Sequence, residues 1–304
     1  MDVLILSRNV AIYSTRRLTE AFRARGFAVR ALDPAAIGVR LGPEGPSLAT
    51  AGLSLPLPAV AVPRIGVQVT EHALAVLAQL ELLGVPLTAG SRAVHASRDK
   101  MLALQTLAAA GLPVPPTALA RQSPDADWAV SAVGGPPVVL KFLTGTHGVG
   151  VFLAESVDAA RTVLDAMWGI ERNLLVQKFV KSAAGRDVRL FVVGGEVRAA
   201  MRRFAPPGAF RAGLHSGGRA EALVPEPALA DLAVRAAAAL DLSIAGVDLL
   251  ESEDGPLVNE VNSSPGLEGI EDATGVDLAA TIADHALALA ARRSTAGPSG
   301  ERGR

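Results

Sequence analysis

The chain has 304 residues, 50% hydrophobic, 19% charged and 4% aromatic, with no cysteine and a formal net charge of −1. That excludes a disordered, collagen-like or coiled-coil protein, and any disulfide, thiolate metal site or thiol nucleophile. Balanced charge and few aromatic residues give no reason to expect nucleic acid as a partner. The most apolar stretches, 73–89 and 278–291, are interrupted by Gln79 and Glu81 and by Asp284 and His285, so no run approaches the ~20 apolar residues of a bilayer span. No basic leader precedes the first apolar segment, and a soluble cytoplasmic protein is expected. Only four of the 29 basic residues are lysine: Lys100, Lys141, Lys178 and Lys181. Where arginine is the default cation, lysine marks places that need a compact charge with an adjustable pKa.

In chain order, Val3–Leu6 reads as a buried strand, and Ser14 as the cap of a helix to about Arg25 with Gly26 after it. Strands follow at 27–32 and 59–62, then a helix over 70–83 and a fourth short strand at 85–88. This alternation predicts a small parallel α/β unit over 1–90, with 41–58 as an exposed loop or hairpin. From Arg98 a helix runs to Ala110, stopped by Gly111 and Pro113. Beyond it, strands at 138–143, 150–154, 174–179, 188–193, 197–203, 244–250 and 257–261 follow one another, often without an intervening helix, which argues antiparallel α+β sheets. Helices are expected at 125–133, 156–168, 226–240 and 277–291, the last with an apolar stripe suited to core or interface, and the chain after Ser294 as a disordered tail.

Two constellations carry chemistry. In the first, a strand ends in Lys141 and a turn rich in glycine follows, with Gly145, Thr146, Gly148 and Gly150. Such a turn lets successive backbone N–H groups cradle phosphate oxygens beside a cation, though a mobile hairpin has the same composition. The lysine precedes the glycines and no helix opens after them, so this is neither a Walker loop nor a dinucleotide fingerprint. The second is a hairpin around Asp254-Gly255 whose two strands carry Asp248 on one side and Glu260 and Asn262 on the other. Glu260 and Asn262 share a face, and pairing across the turn brings Asp248 opposite Glu260 to within about one residue. Two carboxylates and an amide oxygen in apolar strands suit Mg²⁺, which takes a few carboxylates plus substrate phosphates, though a solvated acidic hairpin would carry the same residues. Arg98-Asp99-Lys100 heads a helix, and Gln177-Lys178-Phe179 ends a strand whose backbone could pair with a base.

Taken together, Lys100, Lys141 with its glycine loop, Gln177-Lys178-Phe179, Asp187-Val-Arg189, Arg211, Asp248, Glu260 and Asn262 resemble the ATP-grasp ligases. More narrowly the chain is similar to the RimK branch, the ribosomal-protein glutamate ligases. Pro63-Arg64-Ile65-Gly66 and the closing Ser264-Pro265-Gly266 belong to the same pattern, which covers nearly the whole chain to about 290. The resemblance implies an ATP-grasp fold of α/β and α+β parts: a pre-ATP-grasp domain over 1–90, an ATP-grasp domain over 91–290 with about 112–180 as its lid, and a tail over 291–304. It implies that Lys100 and Lys141 hold ATP phosphates under the 145–150 loop, and that Gln177, Lys178 and Phe179 form the adenine hinge. Asp187 would meet the ribose, and Asp248, Glu260 and Asn262 would coordinate two Mg²⁺ or Mn²⁺ ions. Arg211 and Arg203 would neutralise charge on the transferred phosphoryl group.

The implied reaction joins an amino acid, glutamate by the resemblance, to a protein or peptide carboxylate through an acylphosphate. The implied assembly is a homo-oligomer such as a tetramer, away from membranes. Three positions depart from the family pattern: Lys178 for a glutamate, Gly213 for an asparagine and Ser216 for an arginine. The last two bear on the amino-acid substrate. They keep open a ligase for a small-molecule, cofactor or carrier-bound acceptor with another amino acid, and a nucleotide-binding regulatory protein without turnover.

Overall fold

The computed structural model of the chain describes residues 2–65, 71–121, 123–145, 150–170, 173–212 and 217–295. The chain opens with β1 (Asp2–Leu6), in which Val3–Leu6 are fully buried, and α1 (Tyr13–Ala24), which buries Ser14, Thr15, Leu18, Ala21 and Phe22 at helical spacing. Ser14 is not the cap expected from sequence. Ile12 occupies that position, and Ser14 Oγ accepts from the Leu267 N–H at 3.0 Å, satisfying a buried donor from the far end of the chain. Gly26 follows the helix at φ +80°, a left-handed position that favours glycine.

β2 (Ala28–Leu32), β3 (Ile37–Arg40), β4 (Ser47–Thr50), β5 (Leu53–Ser54) and β6 (Val60–Pro63) come next, then α2 (Glu71–Leu82), α3 (Ser91–Arg98) and α4 (Lys100–Ala109). Strands β2-β1-β6 form a parallel sheet. The 85–88 segment adds only an isolated Ala61–Leu87 bridge to it, not a fourth strand. The Gly/Pro-rich 41–58 stretch folds with β3 into a small antiparallel meander, β3-β4-β5. The helix expected from Arg98 is broken at Asp99, which stands at φ −83°, ψ 108° and accepts from the Met101 and Leu102 N–H groups. Asp99 therefore caps α4 and makes Lys100 its first residue.

A second sheet is antiparallel, in the order β7-β10-β8-β9, from β7 (Thr117–Leu119), β8 (Val138–Phe142), β9 (Val151–Ala154) and β10 (Leu174–Lys178), with α5 (Ala126–Ala132) and α6 (Val157–Trp168) against it. Val138, Leu140, Leu174 and Val176 pack with Ala129, Ala160 and Leu164 of those helices. Strand alternation therefore turns Val139, Lys141, Leu175 and Gln177 to the other face.

The third sheet runs β13-β12-β11-β14-β15, built from β11 (Arg186–Val193), β12 (Glu196–Phe204), β13 (Arg219–Ala222), β14 (Ile244–Ser252) and β15 (Gly255–Asn262). α7 (Pro227–Ala239) covers one face, where Val188, Leu190, Val247, Leu249, Val258 and Val261 join a core shared with α2 to α4. The opposite face divides lengthwise. At one end Phe191, Val193, Met201 and Ile244 pack under α1, α8 (Glu268–Thr274) and α9 (Leu278–Thr295). At the other end the same alternation presents Asp187, Arg189, Arg203 and Asp248.

Leu278, Ala279, Ile282, Ala283 and Ala286 are buried, so the apolar stripe of α9 is core. The helix continues to Thr295, which corrects the tail expected from 291; residues 296–304 lie outside the described ones. Among the described residues, no helix is long and apolar enough to cross a membrane.

Candidate active site

Lys141 and Gln177 lie on one face of the second sheet, and Lys141 Nζ donates to Gln177 Oε1 at 2.6 Å. The same ammonium donates to Asn259 Oδ1 of the third sheet at 2.8 Å, across 118 residues of chain. Gln177 is only 2% exposed and donates in turn to Thr117 Oγ1 at 2.9 Å, so both ends of its amide are occupied. Its side chain orients Lys141; among the hinge residues it is a positioning group. Burial pushes the Lys141 pKa down to about 8; Glu260 and Asp248 oppose this, while the cationic Lys100 and Arg211 add to it. These groups sense one another because they surround one cleft. Lys100 closes its edge, its Nζ donating to Gly145 O and its N–H to Leu143 O, each at 2.9 Å.

Across the cleft, Asp248 pairs with Glu260 and Gly246 with Asn262 in the β14–β15 ribbon. The pairing slips by one residue between Asp248 and Leu249, and Asn259 is the extra residue of the resulting bulge. Strict alternation would set Asn259 opposite in sense to Glu260. The bulge re-aims it, and so Asn259 reaches Lys141 while Val258 and Val261, three apart, both point into the core.

Asp248 is 3% exposed and doubly held. Arg189 donates to its two oxygens at 2.7 and 2.6 Å, and Arg203 Nη2 lies 2.9 Å from Oδ2. Burial alone would raise its pKa, but the two guanidiniums outweigh it and hold the carboxyl below the usual range. Arg203 also grips Asp187 with Nε and Nη2 at 2.6 and 2.7 Å. A ribose at Asp187 would share oxygens with that pair, and phosphate contacts from Arg203 would fall to its Nη1 edge.

In the segment expected to form the adenine hinge, the Lys178 N–H already donates to Pro116 O at 2.9 Å, so a base there would have to meet the Lys178 carbonyl and the Phe179 backbone. The Phe179 ring meets Phe210 edge-on at 6.4 Å, and Arg211 lies over Phe210 at 5.5 Å. Gly150 stands at φ +74°, and a Cβ there would fall 1.7 Å from Phe142 Cδ2, so this end of the loop requires glycine. Thr146 and Gly148, expected to cover phosphates, and the departures Gly213 and Ser216 lie outside the described residues.

Two carboxylates and an amide oxygen at one end of a ribbon fit a hard divalent cation only in part, because Mg²⁺ takes near-octahedral oxygen ligation. The remaining ligands would come from phosphate and water, the donor set of an ion that arrives with a nucleotide. Accordingly, no cluster of three or more His, Cys, Asp or Glu suited to a metal occurs among the described residues.

A model for the RimK-like ATP-grasp domain matches residues 97–286, and one for the RimK PreATP-grasp domain matches residues 1–94. The chain belongs to the RimK-like ATP-grasp family. It is thus an ATP-grasp ligase. A relative from Nitrosococcus oceani, described as a probable alpha-L-glutamate ligase, is 46% identical over 93% of this chain and 94% of its own. The crystal structure of a RimK domain protein from Sphaerobacter thermophilus superposes with a TM-score of 0.72 at 29% identity, covering 94% of this chain and all of the other. The ATP-grasp ligase PsnB, solved with a precursor peptide and AMPPNP, gives a TM-score of 0.72 at 25% identity, covering 95% of this chain and 98% of that one.

Asn259, Thr117 and Arg189 are the site residues that sequence reasoning did not assign. Arg189 sits two residues after Asp187, so parity along β11 was its available signal. Asn259 had none, since parity points it the wrong way.

Proposed function

We propose that the protein joins the amine of L-glutamate to a peptide or protein carboxylate, at the cost of ATP. Supporting this, Lys141 of the lysine-bearing sheet meets Asn259 of the carboxylate ribbon, making one cleft flanked by cations and ending in Asp248 and Glu260. The glutamate assignment is carried over from the relatives named as glutamate ligases.

In this proposal Lys100 and Lys141 bind the phosphates; Lys141 has one N–H left after Gln177 and Asn259. The Lys178 carbonyl and Phe179 receive adenine, and Asp187 receives the ribose. The acceptor carboxylate attacks the γ-phosphorus, the bond to ADP breaks, and an acylphosphate forms. The amine then attacks the acyl carbon, phosphate leaves, and the amine proton passes to water. Arg211 and the free edge of Arg203 face the charge that develops on the transferred group. Asp248, Glu260 and Asn262 would hold two Mg²⁺ or Mn²⁺ ions, whose charge would offset that of the phosphates. We assign 1–90 to a pre-ATP-grasp domain and 91–290 to the ATP-grasp domain, with 112–180 as its lid.

A second assignment, to another amino acid or a small-molecule acceptor, is favoured by Gly213 and Ser216. The deciding experiment is ADP release over a panel of amino acids with a carboxylate peptide, read together with product mass. Glutamate-dependent release and a peptide heavier by glutamyl units are expected. ATP binding without amino-acid-dependent ADP release would sink the ligase assignment.

A further inference from the structure

Two pairs of arginines stand in contrast. Arg189 and Arg203 are neutralised by Asp248 and Asp187. Among the described residues, Arg64 and Arg98 bond to neutral carbonyls: Arg64 Nη2 donates to Pro265 O at 2.6 Å, and Arg98 Nη2 to Ile65 O. Arg98 Nε is buried without a hydrogen-bond partner. Among the described residues no carboxylate lies within ion-pair distance of either guanidinium. Burial pushes both down to about 10, so both remain cations at neutral pH. A partly buried charge with a fully buried Nε, as in Arg98, is ordinarily paired, and this pair of guanidiniums lacks an anion among the described residues.

The place is as telling as the charge. Arg64 directly follows β6, and the crevice beyond the carboxyl ends of parallel strands is where open α/β sheets take ligands. β14 supplies a scale. Its Glu251 O accepts from Ser182 Oγ at 3.0 Å, close to the hinge, and Asp248 lies further along. Gly246 abuts Pro265, since a Cβ there would lie 2.7 Å from Pro265 Cβ, and Pro265 O is the acceptor of Arg64. From Asp248 to Gly246 is two strand residues, about 7 Å, directed away from the hinge. A nucleotide with its base at the hinge and its phosphates by Asp248 would thus point its transferable end toward Arg64.

We infer that Arg64, with Arg98 beside it, binds the non-reacting carboxylate of the amino-acid substrate. This rests on the ligase proposal above. The acceptor carboxylate loses its charge when it is phosphorylated, and a fixed cation pair would resist that change. The amino acid's own carboxylate stays ionised from binding to product, and a guanidinium fork matches it.

The competing role is a staple that ties Pro265 and Ile65 to the first sheet. To separate the two, KM values for L-glutamate and ATP are measured by ADP release for the unaltered chain, Arg64→Gln and Arg98→Gln, with melting temperatures alongside. We expect the glutamate KM of Arg64→Gln to rise about 10- to 100-fold while the ATP KM stays within about two-fold. With the unaltered chain, which needs no variant to fold, at least one of isoglutamine and glutamine should lose about ten-fold or more in kcat/KM against glutamate; Arg64→Gln should abolish that discrimination. An unchanged glutamate KM, equal use of both amides by the unaltered chain, or parallel KM rises with a lowered melting temperature overturns the inference alone. No amino-acid-stimulated ADP release from the unaltered chain overturns the ligase proposal and this inference with it.

Discussion

Arg189 and Asp248 face each other across β11 and β14 and join through two parallel hydrogen bonds of 2.7 and 2.6 Å. Arg203 adds a third contact at 2.9 Å, so one buried carboxylate meets two guanidiniums, the second of them shared with Asp187.

Asp248→Asn should therefore fail twice. Turnover is lost with the carboxylate proposed to hold metal, and stability falls by about 3–5 kcal/mol because Arg189 loses its partner while Arg203 keeps only Asp187. Glu260→Gln should lose turnover with little change in melting temperature, since Glu260 makes no ion pair among the described residues. Paired melts and ADP-release assays check both. Equal melting shifts in the two variants would refute the distinction.

The Asn259 amide holds Lys141 from the opposite sheet. Asn259→Ala should weaken ATP binding about ten-fold, the worth of one charge-assisted hydrogen bond, while leaving the amino-acid KM unchanged. Equilibrium binding of an ATP analogue reads this directly.

Lys141 titrates at about 8 in the free protein, below its usual value near 10.5. Bound phosphate favours the ammonium, so the complex keeps a proton that the free protein loses above that pH. ATP affinity should be level below pH 8 and fall about ten-fold per unit above it, with proton uptake on binding. Calorimetry in two buffers of different ionisation heat tests the sign. A dissociation constant level from pH 7 to 9.5 would contradict it.

Gly150→Ala asks a side chain to adopt φ +74° and to enter the Phe142 ring. We expect about 1–3 kcal/mol of destabilisation and weaker nucleotide binding, read by thermal melts with and without ATP.

Much of this was legible in the residues. Val3–Leu6, the 156–168 helix and the paired β14 and β15 strands follow from burial patterns that need no distant partner. Asp248 opposite Glu260 was readable to one residue, because Asp254-Gly255 announces a turn but not its offset. The turn residues are Glu253 and Asp254, with Ser252 paired to Gly255, and the bulge at Asn259 then absorbs one more position. Ser14 misled for a different reason. Local capping rules favour serine at a helix start, but a buried N–H on Leu267 had the stronger claim. The Lys141–Asn259 contact joins separate sheets and leaves no local trace.

The two acceptors of Lys141 differ in where they are anchored. Gln177 belongs to the same sheet as the lysine and is braced by Thr117, whereas Asn259 belongs to the other. If the sheets part to admit a nucleotide, the ammonium must leave Asn259 yet travels with Gln177. The gate thus swings with its cation already mounted and aimed, and only one hydrogen bond at this position resists each opening.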